Sequence, residues 1–388
     1  MSGMMSPSAT DMEARSPPSA HLRRLGSGTW PMPGMEPMSL GAPIGAFCEL
    51  LPECRPVEVD ATDLVVAVCR LLHQRCQSVC VVRLPGQDCG TRRLFSLSDL
   101  CSALLDALRA DPHVPRVLAV LGASAVGDLA RREVVQAVDA TTPLRTLLGR
   151  LVDRGERLLV KASGDGGMLR LFGCADLLEV VLRYGRASCP GLSDPARGLA
   201  LRVVSDLGCA AKTANATEHA LRCFEHLKTF GLQGMPVLDC SDPKQTLIER
   251  AIGTISVGDV RYFFLKPAED AVQLVSCSIR EFIVHEVQEL GTPRSCGQRP
   301  MGDTRYPFVH ADVDHSVELV ASKLLSSRAP SIALCSHAQT EVRAMVSALD
   351  IVRSLQCHLG QVSLLPQRTV KDAQSPRLWP SPAAAMAG

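Results

Sequence analysis

The sequence of 388 residues carries no charge bias, since 41 Lys+Arg stand against 40 Asp+Glu for a formal net charge of +1. That balance offers no electrostatic basis for nucleic acid or an acidic membrane as the main partner. No apolar run approaches the roughly 20 residues that a bilayer span needs, so no membrane-crossing helix is expected. The opening Met1-Ser-Gly-Met-Met-Ser-Pro-Ser8 lacks the basic-then-apolar layout of a secretory signal. Arg15, Arg23 and Arg24 among serines have some transit-peptide character, but Asp11, Glu13 and the prolines around them argue against it. The 16 cysteines include no Cys-x-x-Cys pair. They fall mostly inside apolar runs, as at Cys69, Cys80, Cys223 and Cys335, and read as buried thiols in a reducing compartment. No Gly-Lys-Ser/Thr phosphate loop exists. Gly122-Ala-Ser-Ala-Val-Gly127 falls short of the full dinucleotide fingerprint and reads as linker.

What is present is a repeat, flanked by tails. Residues 1–45 hold seven of the 12 methionines and seven of the 26 prolines, and residues 366–388 end in a similar biased stretch. Both compositions predict disorder. Between them Val59-Asp-Ala-Thr62 returns as Val138-Asp-Ala-Thr141, with looser forms at Ala214–Thr217 and Ala311–Ser316. Each introduces apolar residues at helical spacing, such as Leu64, Val68, Leu71 and Leu72 in the first copy. Thr62, Thr142, Thr217 and Ser316 are the expected N-caps. A short apolar strand follows each helix: Val79–Val82, Leu158–Val160, Met235–Leu238 and Ile332–Cys335. A second strand then runs into a second helix at Leu94–Asp99, Leu171–Asp176, Ile255–Asp259 and Val346–Asp350.

The predicted fold is therefore α/β, four strand-helix-strand-strand-helix units. A unit this small buries too little surface to stand alone, so units should share cores in pairs. The breaker-rich residues 186–198 divide them into 46–185 (copies at about 50–110 and 130–185) and 199–365 (about 203–265 and 306–357).

Four such units, each closing on Ser/Thr-x-x-Asp at a strand-to-helix junction, resemble cystathionine-β-synthase-type (CBS) domains in two tandem pairs. The third copy carries the resemblance best, with Gly231-Leu-Gln-Gly-Met-Pro-Val-Leu-Asp239 and Ile252-Gly-Thr-Ile-Ser-Val-Gly-Asp-Val-Arg-Tyr-Phe-Phe264. With no enzyme or channel attached, the set is most similar to the gamma (SNF4-type) regulatory subunit of AMP-activated/SNF1-type protein kinases. The resemblance implies a compact disc, a non-catalytic role in the cytoplasm or nucleus, and no cofactor. It implies AMP, ADP or ATP as regulatory ligand, and a Ser/Thr kinase catalytic (alpha) subunit and a beta-type scaffold as partners. It also implies that the motif Asp accepts from ribose hydroxyls with the nearby Ser assisting. On this chain that selects Ser96, Ser98 and Asp99, then Asp176, Ser256 with Asp259, and Ser347 with Asp350.

A carboxylate beside a helix N-terminus suits that task, because the local dipole favours it and it can accept two donors at once. Simple helix capping would account for one such Asp; four in register point to a ligand. Gly173 replaces the hydroxyl in copy two. On the phosphate side the family's basic residues are mostly missing: the matching positions read Gln77-Ser78, Glu156-Arg157, Gln233-Gly234 and Pro330-Ser331, leaving Arg157. Binding confined to the first pair is one expectation, and a scaffold without nucleotide binding is the other. Asp259→Ala is expected to weaken binding at the second pair with little effect on the fold. His310, Asp312 and Asp314 could share a strand face toward a metal, but the repeat accounts for them as the first strand and cap of copy four.

Overall fold

The computed structural model describes residues 42–51, 55–85, 92–135, 137–154, 157–161, 169–184, 189–207, 211–242, 244–287, 308–338 and 340–356. All of them lie in the unit Pro37–Gly388. The predicted tails, apart from residues 42–45, lie outside this set.

The four copies are present. Copy one has β1 (Val57–Asp60), helix Val65–Gln74, β2 (Val79–Arg83), β3 (Arg92–Ser96) and helix Leu97–Ala110. Copy two has helix Leu144–Arg154, β4 (Leu158–Lys161), β5 (Leu169–Phe172) and helix Cys174–Tyr184. Copy three has β6 (Ala214–Asn215), helix Ala220–Thr229, β7 (Gly234–Leu238) and β8 (Ala251–Ser256). Copy four has β9 (His310–Asp312), helix Val317–Ser327, β10 (Ser331–Cys335), β11 (Val342–Ser347) and helix Ala348–Leu355. In copies one, three and four the first strand runs parallel to the second and the third pairs antiparallel. In copy two the first strand is reduced to a parallel bridge between Val138 and Val160. The second helix of copy three is a 3₁₀ turn (Val257–Arg261) and one helical turn (Tyr262–Leu265), after which Pro267 forces the preceding residue out of helical geometry.

The expected caps Thr62 and Thr217 do not cap. Leu64 and His219 occupy the N-cap positions instead, without a side-chain bond. The reason is that a second chain segment supplies the acceptor. Val65 N donates to Ser124 O at 3.0 Å and Val126 N returns to Asp63 O at 2.8 Å. The same reciprocal pair recurs as Ala220 N to Cys277 O (3.1 Å) and Ile279 N to Glu218 O (2.7 Å). In copies two and four it recurs as Leu144 N to Ala42 O (3.0 Å) and Val317 N to Asp194 O (2.9 Å), each answered by a return bond. Ser316 also caps through its hydroxyl, which accepts from Leu319 N. Each copy thus carries a docked helix. Val126–Leu129 and Ile279–Glu281 follow copies one and three, whereas Ile44–Leu50 and Ala196–Leu207 dock on copies two and four from ahead of copies one and three. The order docked helix, copy, docked helix, copy therefore repeats twice along the chain.

Apolar packing joins the copies in two ways. The two large cores are helical. One joins copies one and three, with Leu72, Leu100, Leu104, Phe224 and Phe263 inside it. The other joins copies two and four, with Leu148, Leu178, Val320 and Ile351. Smaller sheet-to-sheet cores join the sequence neighbours, through Val79, Val81, Leu94, Leu159 and Leu171 in the first pair and Leu238, Ala333 and Met345 in the second. Lys228 Nζ crosses from copy three to Asp106 (2.7 Å) in copy one, and Arg353 Nε from copy four to Val152 O (3.2 Å) in copy two. Seven of the described cysteines are buried, and burial pushes Cys69, Cys80, Cys101, Cys223 and Cys335 up to about 12, so they stay protonated thiols at neutral pH.

The first helix of three copies ends on a left-handed residue: Cys76 (φ 51°), Gly231 (φ 64°) and Arg328 (φ 54°). In copies one and three a bond from the following amide, Gln77 N to Leu72 O and Leu232 N to Leu227 O, closes the cap at 2.9 Å. Glycine enters this region without steric cost, although it also loosens the unfolded chain. Arg328→Gly will therefore raise stability by roughly 0.5–1 kcal/mol, measured as an upward shift of the urea midpoint. A fall would mean that Arg328 holds contacts worth more than its backbone strain.

Candidate functional site

The four motif aspartates sit at equivalent places, each in the first turn of the helix or 3₁₀ turn that follows the third strand. In every copy one carboxylate oxygen is spent on the cap. Asp99 Oδ2 accepts from Ser96 N (2.9 Å) and Ser96 Oγ (2.5 Å). Asp259 Oδ2 accepts from Ser256 N (2.7 Å) and Oγ (2.9 Å), and Asp350 Oδ2 from Ser347 N (2.8 Å) and Oγ (2.6 Å). In copy two, where Gly173 stands in place of serine, Asp176 Oδ2 keeps the backbone bond alone, from Gly173 N at 2.8 Å. Capping is thus a real duty at all four positions, and the second oxygen is what remains for a ligand.

The second oxygens differ. Asp99 Oδ1 faces Arg131 Nε at 3.3 Å, with both side chains partly exposed. Ser98, beside it, is exposed. Asp259 is fully buried, and among the described residues no partner reaches its Oδ1. Burial pushes the Asp259 carboxyl upward, with Arg261 and the Ser256 donors pulling it back. Asp176 is likewise raised by burial, opposed by Gly173 N and the guanidinium charges of Arg157 and Arg170. Asp350 is half-buried.

The junctions of copies one and two converge on Arg157. Ser78 O accepts from Leu97 N at 2.9 Å, which fixes Ser78 beside the helix start that carries Asp99. Arg157 Nη2, from copy two, donates to Ser78 Oγ at 3.2 Å. The stem of Arg157 also lies against Gly173: a Cβ there would stand 3.4 Å from Arg157 Cγ. The glycine that removes the hydroxyl from copy two therefore has the arginine stem as its neighbour. Ser78, Ser96, Asp99, Arg131, Arg157 and Asp176 gather two carboxylates and two guanidinium groups at one end of the first pair. Sequence reasoning missed Arg131, which stands 32 positions from Asp99 in the chain and in no recognisable motif.

The second pair is built differently. A Cβ on Gly234 would meet Ser331 Oγ at 2.6 Å, so copies three and four press together at the place where Arg157 meets Ser78 in the first pair. Ser256 and Ser331 are buried there, and Ser331 Oγ has no partner among the described residues. Asp259→Ala would consequently remove a buried cap, not just a ligand contact, and the expectation of a largely unaffected fold is revised.

Two other features were weighed. Asp312, Asp314 and His337 bring ligand atoms within 4.8 Å of one another, with His337 in the place expected for His310. Arg197 holds Asp314 at 2.6 Å, Asp312 accepts from Asp314 N in a turn, and His310 stacks on Phe308. These bonds account for the cluster. A groove at the opposite end of the copy-three sheet from Asp259 is lined by Asp239, Arg250, Ile252, Arg280 and Val284. Its charges are largely committed, Arg280 to Asp239 at 2.7 Å. No helix among the described residues is long and apolar enough to cross a membrane.

No protein-family model and no curated protein sequence matches the chain. Among solved structures, MJ1225 from Methanocaldococcus jannaschii, described as a proposed archaeal homologue of the AMPK gamma subunit, superposes with a TM-score of 0.55 at 9% identity. The match covers 79% of this chain and 98% of that one. The CBS-domain protein ATU1752 from Agrobacterium tumefaciens matches 36% of this chain and 98% of its own at 13% identity, with a TM-score of 0.28. CBSX2, solved in complex with AMP, matches 38% and 100% at 22% identity, with a TM-score of 0.28. The likeness to MJ1225, together with four copies of one strand-helix-strand-strand-helix unit, shows that this chain has the fold of CBS-domain proteins.

Proposed function

We propose that this chain is a non-catalytic regulatory subunit of an SNF1/AMPK-type Ser/Thr kinase assembly, and that it senses adenine nucleotides at the junction of copies one and two. The observation that carries the nucleotide reading is the convergence of Asp99 with Arg131 and of Arg157 with Asp176 around Ser78. Carboxylates for ribose hydroxyls and guanidinium groups for phosphate then stand together on a partly exposed surface. The kinase reading is supported by the superposition on MJ1225, which covers 79% of this chain and 98% of that one, and by the description of MJ1225 as a gamma-subunit homologue. Helical cores between copies one and three and two and four, with sheet cores between one and two and three and four, fit a ring of four copies closed into a disc. A ligand that favours one packing of the first pair would reach a bound alpha or beta subunit as a shift between two states of the ring.

Calorimetric titration with AMP, ADP and ATP tests the ligand. Wild type is expected to bind at least one of them, and Asp99→Asn, which keeps an acceptor for Ser96 N, to lose tenfold or more in affinity, on the order of one charged hydrogen bond. Co-expression with kinase alpha and beta subunits tests the assembly. A second reading, a scaffold that binds no nucleotide, is favoured by the close contact of Gly234 with Ser331 and by the burial of Asp259 in the second pair. No heat for any of the three nucleotides, from folded protein, would establish that reading in place of the first.

A further inference from the structure

The ion pair between Arg131 and Asp99 ties two groups of opposite duty together. Asp99 has two oxygens. One is committed to Ser96 N and Ser96 Oγ, and the other faces Arg131 Nε at 3.3 Å. A ribose hydroxyl that approaches the second oxygen from the side Arg131 occupies displaces the guanidinium. The pair is 40% and 20% exposed, so holding it contributes little and displacement is cheap. What happens to the displaced guanidinium then decides which ligand is favoured. Arg131 N donates to Leu94 O at 3.0 Å, which anchors its backbone on β3 and keeps the side chain beside the ribose carboxylate. A bare nucleoside takes the oxygen and leaves the guanidinium with water. A phosphorylated nucleoside brings an anion to replace what it takes.

We propose that Arg131 is a specificity-determining residue of the copy-one site, exchanging Asp99 for the phosphate of an entering nucleoside 5′-phosphate. The site thereby favours phosphorylated nucleosides over nucleosides. This rests on the nucleotide reading above and goes beyond it, because it assigns selectivity to a residue outside the repeated motif.

The test compares AMP with adenosine on wild type, Arg131→Ala and Arg131→Lys by calorimetry, with thermal melting as a check on folding. Arg131 is exposed and its backbone bond survives substitution, so all three proteins should melt alike. The preference of wild type for AMP over adenosine should fall on the order of 10- to 100-fold in Arg131→Ala. Adenosine itself should bind Arg131→Ala no worse than wild type, because its competitor for Asp99 is gone. Arg131→Lys should recover part of the preference. An AMP-to-adenosine ratio that is the same in wild type and Arg131→Ala overturns this role and leaves the nucleotide reading standing. Absence of binding by both ligands to wild type overturns the nucleotide reading and this role with it.

Discussion

Phe282→Ala will cost the fold about 3–5 kcal/mol, read as a lowered urea midpoint of the transition that reports the copy-one and copy-three core. Phe282 is fully buried and starts the helical segment Phe282–Val287 that follows the docked helix Ile279–Glu281. Its ring stands edge-on to Phe224 at 5.8 Å, against Phe263 at 5.3 Å and near Tyr262 at 6.3 Å. Tyr262 in turn reaches His73 of copy one at 5.9 Å. The aromatic group thus bonds three things at once: the first helix of copy three, the turn after its motif, and the neighbouring copy. Truncation removes the transfer energy of one large ring and leaves a cavity whose walls are held by separate elements and cannot collapse together. Leu319→Ala, at a position 41% exposed, should move the same midpoint far less. Similar losses for the two variants would show that the aromatic cluster is not what joins the copies.

The repeated unit was legible because its signals are local. Val-Asp-Ala-Thr before the first helices of copies one and two, and the Ser-x-x-Asp spacing after the third strands of copies one, three and four, follow from turn and cap chemistry written in a few adjacent residues. The strands at Val79, Leu158, Met235 and Ile332 fall where the apolar runs put them, within a residue. The caps at Thr62 and Thr217 failed for the opposite reason. Their role is taken by Ser124 O and Cys277 O, carbonyls some 60 residues away whose supply the local sequence does not announce.

Partner choice among the copies was also hidden. Each copy buries both a sheet face and a helix face, so hydrophobic patterning says that two partners exist without naming them. The order of the chain suggested that neighbours share the main core. The large helical cores instead cross from copy one to copy three and from copy two to copy four, and the neighbours share the smaller sheet cores. At the site, Arg157 was visible as the one basic residue left before a core strand. Its relation to Gly173 was not, because nothing in the local sequence shows that the arginine stem packs on the glycine that stands in place of serine.

Asp259→Asn will raise stability at neutral pH and abolish part of the pH dependence of unfolding. The wild-type carboxyl is held above its usual value of 3.8 by burial. The folded state therefore grips this proton more tightly than the unfolded chain does. Its contribution is fully present below the unfolded value and is lost as pH rises through the folded one, at a slope of at most about 1.4 kcal/mol per pH unit. Asp239, Glu249 and Asp312, whose values are lowered, act in the opposite sense and lose stability as pH falls. The difference between wild type and variant, followed by urea unfolding from the usual carboxyl value of 3.8 up through neutral pH, cancels those groups and isolates Asp259. An amide oxygen can still accept from Ser256 N and Oγ, now 2.7 and 2.9 Å from Oδ2. The amide nitrogen takes the place of the unpartnered Oδ1, where a lone donor costs about 1–3 kcal/mol, less than the several kcal/mol of a buried carboxylate with one oxygen unpaired. The advantage of the variant should shrink toward acid pH. A variant less stable than wild type at every pH would mean that the charged carboxylate is satisfied where it stands. A stabilised variant would mean that helix capping, which asparagine serves as well, is not what requires an aspartate at this position.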